Sequence, residues 1–252
     1  MTESEGPGTG TRPRVQSAAR AIGILLAVAD TRQGLTTREI SDELGIGRQT
    51  VYHLLHTLTE TGILTRGTDG RIILGPAAGR VAGGFERQLS TSERVAPLVR
   101  QLARVTDETS YAAGWHHGEV TVFAVARGSK PVQAAETPLG FSGLAHARAS
   151  GKLLLALMEP EERQRYLDSH PLEPVTPKTI TTPSQLTAEL DEVKAQGYAI
   201  DREEVAEGVC CVAAPLMAFT APHALAVSVP ADRFDSAFED TLRLLRQTAE
   251  GH

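Results

Sequence analysis

A capping box set nine residues ahead of a glycine constrains the fold of this chain more than any other feature. Thr36-Thr37-Arg38-Glu39 has the Ser/Thr-x-x-Glu form, in which the Thr36 hydroxyl accepts from the Glu39 N–H and the Glu39 carboxylate accepts from the Thr36 N–H. A helix starts there, carries Ile40 and Leu44 four apart on its buried face, and stops at Gly45, where a left-handed cap suits glycine. Gly45-Ile46-Gly47 is then the turn. In the next segment Val51, Leu54, Leu55 and Leu58 keep the i, i+3, i+4, i+7 spacing of a second helix facing the core.

The opposite stripe of that second helix carries Gln49, Tyr52, His53 and His56, with Arg48 and Thr50 in its first turn. After Gly62, Ile63 to Arg66 and Arg71 to Leu74 read as two short strands around the turn signal Gly67-Thr68-Asp69-Gly70. Any one amphipathic helix has a polar face merely because water covers it. A capped helix, a glycine turn, a donor-rich second helix and a basic hairpin in one segment instead form a winged helix-turn-helix, whose second helix presents side chains to base edges in the major groove. Arg66 and Arg71 flank the wing and reach phosphate on this reading.

The net charge of −6 conflicts with duplex DNA as a partner until it is divided along the chain. Residues 11–80 hold nine Arg against six acids, whereas residues 81–252 hold sixteen Lys and Arg against twenty-three acids. A basic head attracts phosphate, and an acidic body discourages non-specific adhesion.

At 252 residues with 41% hydrophobic content, the chain can bury a sizeable core in one or two domains. No run of about eighteen apolar residues exists, and Met1 to Gly10 lacks the basic-then-apolar layout of a signal peptide. A cytoplasmic protein with no membrane partner is expected. Cys210 and Cys211 are adjacent, which suits neither a structural disulfide nor zinc-ligand spacing, so no metal and no cofactor is expected.

Residues 1–13 are rich in Gly, Pro, Ser and Thr and read as a disordered tail, with Arg12 and Arg14 able to track the DNA backbone or minor groove. The DNA-binding domain spans residues 14–75, opening with Val15-Gln16-Ser17 and a helix that places Ile22, Leu25, Leu26 and Ala29 on one side. Residues 76–90 read as a linker helix with Pro76 in its first turn and Val81 and Phe85 facing a partner. Residues 91–252 form the second domain, opened by a capping box at Ser90-Thr91-Ser92-Glu93 and a helix carrying Val95, Leu98, Val99 and Leu102. Strands are expected at Tyr111–Trp115, Val120–Val125, Val132–Ala135, Tyr198–Asp201, Val209–Pro215 and Ala224–Val229. Helices are expected at Ala147–Leu157, Glu159–Leu167, Ser184–Gln196 and Arg233–Glu250. The fold class is α+β, ending in a mixed α/β sensor-like domain.

Several blocks in order resemble the IclR family of bacterial transcription regulators across the chain after its tail. They are Val15-Gln16-Ser17 with Arg20, the helix-turn-helix, Gly70-Arg71 before Leu74-Gly75, Ala145-His146-Ala147 with Gly151-Lys152, Gly197-Tyr198 with Asp201 and Glu203-Glu204, and Gly208 to Pro215. The resemblance implies a winged helix joined by a linker helix to a GAF-like effector domain. It also implies a homodimer or homotetramer, and operator affinity altered by a small metabolite. On the DNA side it implicates Arg14, Ser17, Arg20, Thr37, Arg48, Gln49, Thr50, Tyr52, His53, Arg66 and Arg71. Family recognition helices often carry Lys-Ser-Thr-Val-x-Arg, where this chain has Arg48-Gln49-Thr50-Val51-Tyr52-His53.

Carried over by position, the effector pocket is lined by Trp115, Ala134, His146, Ala147, Ala149, Asp201, Cys211 and Ser228. That mix is mostly apolar with a few hydrogen-bonding groups, as a closed site for a small organic ligand requires. Ser228-Val229-Pro230 replaces the usual Ser-x-Ser and so removes one hydroxyl and one N–H from the pocket wall. The loss argues against a small, highly polar acid such as glyoxylate. Trp115 and Phe123 together suggest a flat wall for an aromatic or bulkier acid or amide, while helix N-terminal N–H groups after His146 suit a carboxylate.

Enzyme readings are weaker. Ala149-Ser150-Gly151-Lys152 lacks the first glycine and the Ser or Thr that a phosphate loop needs. A Cys/His hydrolase built on Cys211 has no base or oxyanion site legible in sequence. His116-His117 as a metal site requires two rings that neighbouring strand positions point to opposite faces. The competing reading from another class is a metabolite-binding or catalytic α/β domain whose N-terminal helices serve only in oligomerisation.

Overall fold

In the computed structural model of the chain, residues 15–88, 90–134, 137–217 and 221–250 are described, without the side chains of 86–92. Contacts divide the chain into two units, Met1–Phe85 and Glu86–His252. The expected tail and the capping box at 90–93 fall on residues or side chains outside that description.

The first unit packs α1 (Gln16–Ala29), α2 (Thr37–Leu44) and α3 (Arg48–Glu60) against a hairpin of β1 (Leu64–Arg66) and β2 (Ile72–Leu74). Both halves of the capping box form, with Thr36 N donating to Glu39 Oε2 at 2.7 Å and Glu39 N donating to the Thr36 hydroxyl at 3.2 Å. Gly45 closes α2 at φ 61°, a left-handed conformation that costs glycine no Cβ clash. Leu35 exchanges backbone hydrogen bonds with Ile72 at 3.0 and 2.7 Å, stitching the wing to the entry of α2. The core is Ile24, Val28, Ile40, Val51, Leu55, Leu64 and Ile72.

One helix face differs from expectation. In α1 the buried residues are Ile24, Ala27 and Val28, while Ile22 and Leu26 are 57% and 58% exposed. Two apolar stripes run along this helix, and the one that meets Ile40 and Val51 takes the core. The helix after the wing, α4, runs Pro76–Gln88, and Ser90 opens α5 (Ser90–Thr106) instead of closing the linker.

The second unit is built on one five-stranded antiparallel sheet in the order β4-β3-β7-β6-β5. Its strands are β3 (Thr109–His116), β4 (Glu119–Ala126), β5 (Ala199–Arg202), β6 (Val209–Leu216) and β7 (His223–Pro230). The helices are α5, α6 (Ala149–Leu157), α7 (Pro160–Ser169), α8 (Pro183–Gln196) and α9 (Ala231–Glu250). Helices α6 and α8 share a core with Tyr111, Ala113, Val120, Val122, Cys211 and Ala213 of the sheet. Helices α5 and α9 pack on each other and on the sheet, burying Val95, Leu98, Leu102, Phe234 and Leu245. Central β7 is buried at all eight positions.

The third strand expected at Val132 does not form, because residues 132–134 lie in a loop. The Gln133 amide donates to the carbonyls of Gly128 and Lys130 at 2.5 and 3.1 Å, so it satisfies backbone that a strand would have paired, and Val132 is left 65% exposed. Helix α6 starts at Ala149, not Ala147, since Ala147 and Arg148 N–H groups turn back to the Leu144 carbonyl. Among the described residues no helix is long and apolar enough to cross a membrane.

Candidate functional site

Helix α3 separates its faces by period. Val51 and Leu55 are buried, whereas Arg48, Gln49, Tyr52, His53 and His56 are exposed and Thr50 is half-buried. Tyr52 is 62% exposed. Its ring lies edge-on to His53, with centroids 6.2 Å apart. Ser17 and Arg20 are exposed on α1, Thr37 is half-buried at the start of α2, and Arg14 lies outside the described residues.

The two wing arginines differ. Arg66 is exposed, and its side chain makes a 3.3 Å contact from Nη1 to the Gly70 carbonyl. Arg71 is spent inside the unit, with Nη2 3.0 Å from Glu39 Oε1 and Nε 3.2 Å from the Gly34 carbonyl. The Glu39 carboxyl is held below its ordinary range by Thr36, through backbone and hydroxyl, and further by Arg71.

In the second unit a transverse row crosses three strands: Asp201 of β5 pairs with Cys211 of β6, which pairs with Ser228 of β7. Register partners share a face, and here the Cys211 Sγ and Ser228 Oγ lie 3.2 Å apart. Asp201 and Cys211 line a cavity of about 150 Å³, together with Tyr111, Phe141, Arg148 and Val209. Burial pushes the Asp201 carboxyl up to about 7, against a hydrogen bond from the Glu204 N–H at 2.7 Å. Burial also pushes the Cys211 thiol up to about 12 and raises the Tyr111 phenol, so both are neutral donors.

The remaining expected pocket residues are not in this lining. His146 Nε2 donates to the Glu173 carbonyl at 3.0 Å and lines a different cavity with Tyr166 and His170. Ala147 and Ala149 are fully buried, and Ala134 sits buried in the loop before residue 135. Trp115 packs edge-on against Tyr166 at 5.2 Å. Phe123 cannot join it in a wall, because alternation along β4 sets Phe123 on the face opposite Val120, the register partner of Trp115, where its ring lies near those of His116 and His223. His116 and His117 do approach, with ring centroids 4.3 Å apart, since His117 is a turn residue at φ 50° and not a strand residue.

Sequence reasoning missed Tyr111 and Arg148. Arg148 is the N-cap residue of α6, and its Nη1 donates to the Val120 and Gly143 carbonyls at 3.1 and 3.3 Å. Four residues on, Lys152 is also buried, but it is fully paired, with Nζ 2.7 Å from Glu189 and 2.6 Å from Glu204.

Residues 17–67 match the IclR helix-turn-helix domain, and residues 87–251 match the bacterial transcriptional regulator IclR C-terminal domain. The chain is 33% identical over 216 residues to the HTH-type transcriptional regulator BhcR of Paracoccus denitrificans, covering 85% of this chain and 77% of that one. It is 34% identical to the HTH-type transcriptional regulator Rv1719 of Mycobacterium tuberculosis, covering 87% and 84%. Among solved structures, an IclR homologue of Microbacterium hydrocarbonoxydans complexed with 4-hydroxybenzoate aligns with a TM-score of 0.69 at 26% identity, covering 93% of this chain and 96% of that one. Helix-turn-helix, wing and sheet-bound cavity thus coincide with matches over nearly the whole chain, which belongs to the IclR family of bacterial transcriptional regulators.

Proposed function

We propose that this regulator is a repressor that works as a homodimer or homotetramer in the cytoplasm. Its operator affinity is set by a small organic acid or aromatic metabolite held in the second unit. The observation that carries the DNA half is the exposed stripe of α3. Arg48, Gln49, Thr50, Tyr52 and His53 meet base edges in the major groove, while Arg14, Ser17, Arg20 and Thr37 meet the backbone. Arg66 reaches phosphate from the wing that Arg71 holds in place. Helix α4 links the units and carries the change in their arrangement on ligand binding.

The effector half is supported by the cavity beside Asp201 and Cys211. The Microbacterium homologue with 4-hydroxybenzoate supports an acid or aromatic ligand here as well. A ligand changes DNA affinity only by binding one arrangement of the heads better than another. Repression is favoured over activation because blocking polymerase requires no further contact surface.

Binding of the purified protein to a labelled duplex from upstream of its own coding region, across a salt series and against random competitor, tests this. Tight, competitor-resistant binding that weakens steeply with salt is expected. Failure against that duplex and against a pool of whole-genome fragments would leave the N-terminal helices an oligomerisation module.

A further inference from the structure

We infer that the cavity lined by Tyr111, Phe141, Asp201 and Cys211 takes a compact monocarboxylate, and that Arg148 is the residue that binds its carboxylate. The inference rests on reading the second unit as an effector domain and names the chemistry of that site.

Arg148 is 3% exposed and lines the cavity. Its Nη1 is committed to the two carbonyls, but its Nη2 is buried with no hydrogen-bond partner. Among the described residues no carboxylate forms an ion pair with it, whereas the equally buried Lys152 has two. Its guanidinium lies 5.0 Å from the centre of the Phe141 ring, a contact that attracts the cation without neutralising it. An unpaired cation out of water is costly, and the missing partner is an anion with two oxygens, the shape a guanidinium fork receives best.

The rest of the lining defines the body of that anion. Pro138, Phe141, Val205, Ala206 and Val209 are apolar, and about 150 Å³ accommodates one six-membered ring. Tyr111 and Cys211 are neutral donors beside it. Asp201 is the acid of the lining, and burial raises its carboxyl to about 7, so it opposes an entering carboxylate less than an ordinary aspartate would. A second carboxylate on the ligand would meet Asp201 and apolar side chains, since Arg148 is the one cation among the described residues of the lining. Monocarboxylates are therefore selected over dicarboxylates as well as over amides.

The test uses the full-length protein and calorimetric titration with benzoate, cyclohexanecarboxylate and 3-methylbutanoate, each against its primary amide. At least one acid is expected to bind in the millimolar range or tighter, with its amide at least about 30-fold weaker, as loss of one partner of a buried charge pair requires. Arg148→Gln should abolish acid binding and Arg148→Lys should restore part of it. Because the acid and amide comparison needs only the wild-type protein, it stands even if Arg148→Gln does not fold. Failure of all three acids to bind, equal binding of acid and amide, or undiminished binding by folded Arg148→Gln would each overturn the assignment. Equal binding of acid and amide still leaves an effector site. Operator binding that no small molecule from a cell extract alters would instead remove the effector reading itself.

Discussion

Arg71, just ahead of β2, places its Nη2 3.0 Å from both carboxylate oxygens of Glu39 in α2, so the wing is tied to the helix whose capping box Glu39 completes. Arg71→Ala is accordingly expected to lower the thermal midpoint of the first unit while leaving the salt slope of DNA binding unchanged. Arg66→Ala should do the opposite, reducing the log-log slope by about 0.9 for one lost phosphate contact. Fluorescence anisotropy across a salt series separates the two, and a slope change in Arg71→Ala would put Arg71 on the duplex.

Arg48 opens α3 exposed, and Tyr52 follows four residues later on the same face. Replacing either by Ala should weaken specific binding by about 1–3 kcal/mol, without changing affinity for random DNA to the same degree. A parallel loss on both duplexes would assign them to phosphate and not to base edges.

Asp201 carries a pH signature. Its folded value of about 7 lies above the ordinary 3.8, so the folded state holds a proton that the unfolded state releases between those values. Stability is complete below about pH 4 and falls as pH rises through 7, by roughly 4 kcal/mol at the alkaline end. Burial raises Glu204 as well and adds in the same direction. Urea unfolding at mildly acidic and mildly alkaline pH should show the wild type weaker at the alkaline end and Asp201→Asn much less so; an equal slope in the variant would exclude Asp201 as the source.

Gly151 of α6 sits so close to the preceding loop that a Cβ would lie 2.4 Å from both the Cα and the carbonyl oxygen of Ala145. Backbone cannot swing aside as a side chain can. Gly151→Ala should cost on the order of 3 kcal/mol in the second unit, and an unchanged unfolding midpoint would show that α6 shifts freely.

The Cys211 thiol, buried and pushed up to about 12, should resist iodoacetamide in the native protein and react once denatured. Cys210 is buried too, and burial raises its thiol likewise. Rapid native labelling assigned to Cys211 by mass spectrometry would mean that the cavity opens to solvent.

These features differ in how far sequence discloses them. The α2 boundaries were legible to the residue because capping box and Gly45 act locally, within one turn of chain. The buried face of α1 was not, since Ile22 with Leu26 and Ile24 with Val28 satisfy the same spacing, and only packing against Ile40 and Val51 decides between them. Asp201, Cys211 and Ser228 were reached through family blocks, and a β-register aligns them. Arg148 escaped notice because an arginine among alanines at a helix start reads as solvent-facing, and its burial depends on the Val120 carbonyl, 28 residues away. The strand expected at Val132 failed through the Gln133 side chain, whose hydrogen bonds no apolar pattern records.

The sheet of the second unit ends at β4 on one side and β5 on the other. Mid-strand in β4, the backbone of Val122 is already occupied by Gly140 and Phe141, with hydrogen bonds of 2.9 and 3.0 Å. On the far side β5 is only four residues long. Such blunted borders give a neighbouring polypeptide little template for adding a strand, so the runaway edge-to-edge growth that ends in fibres is disfavoured at this sheet.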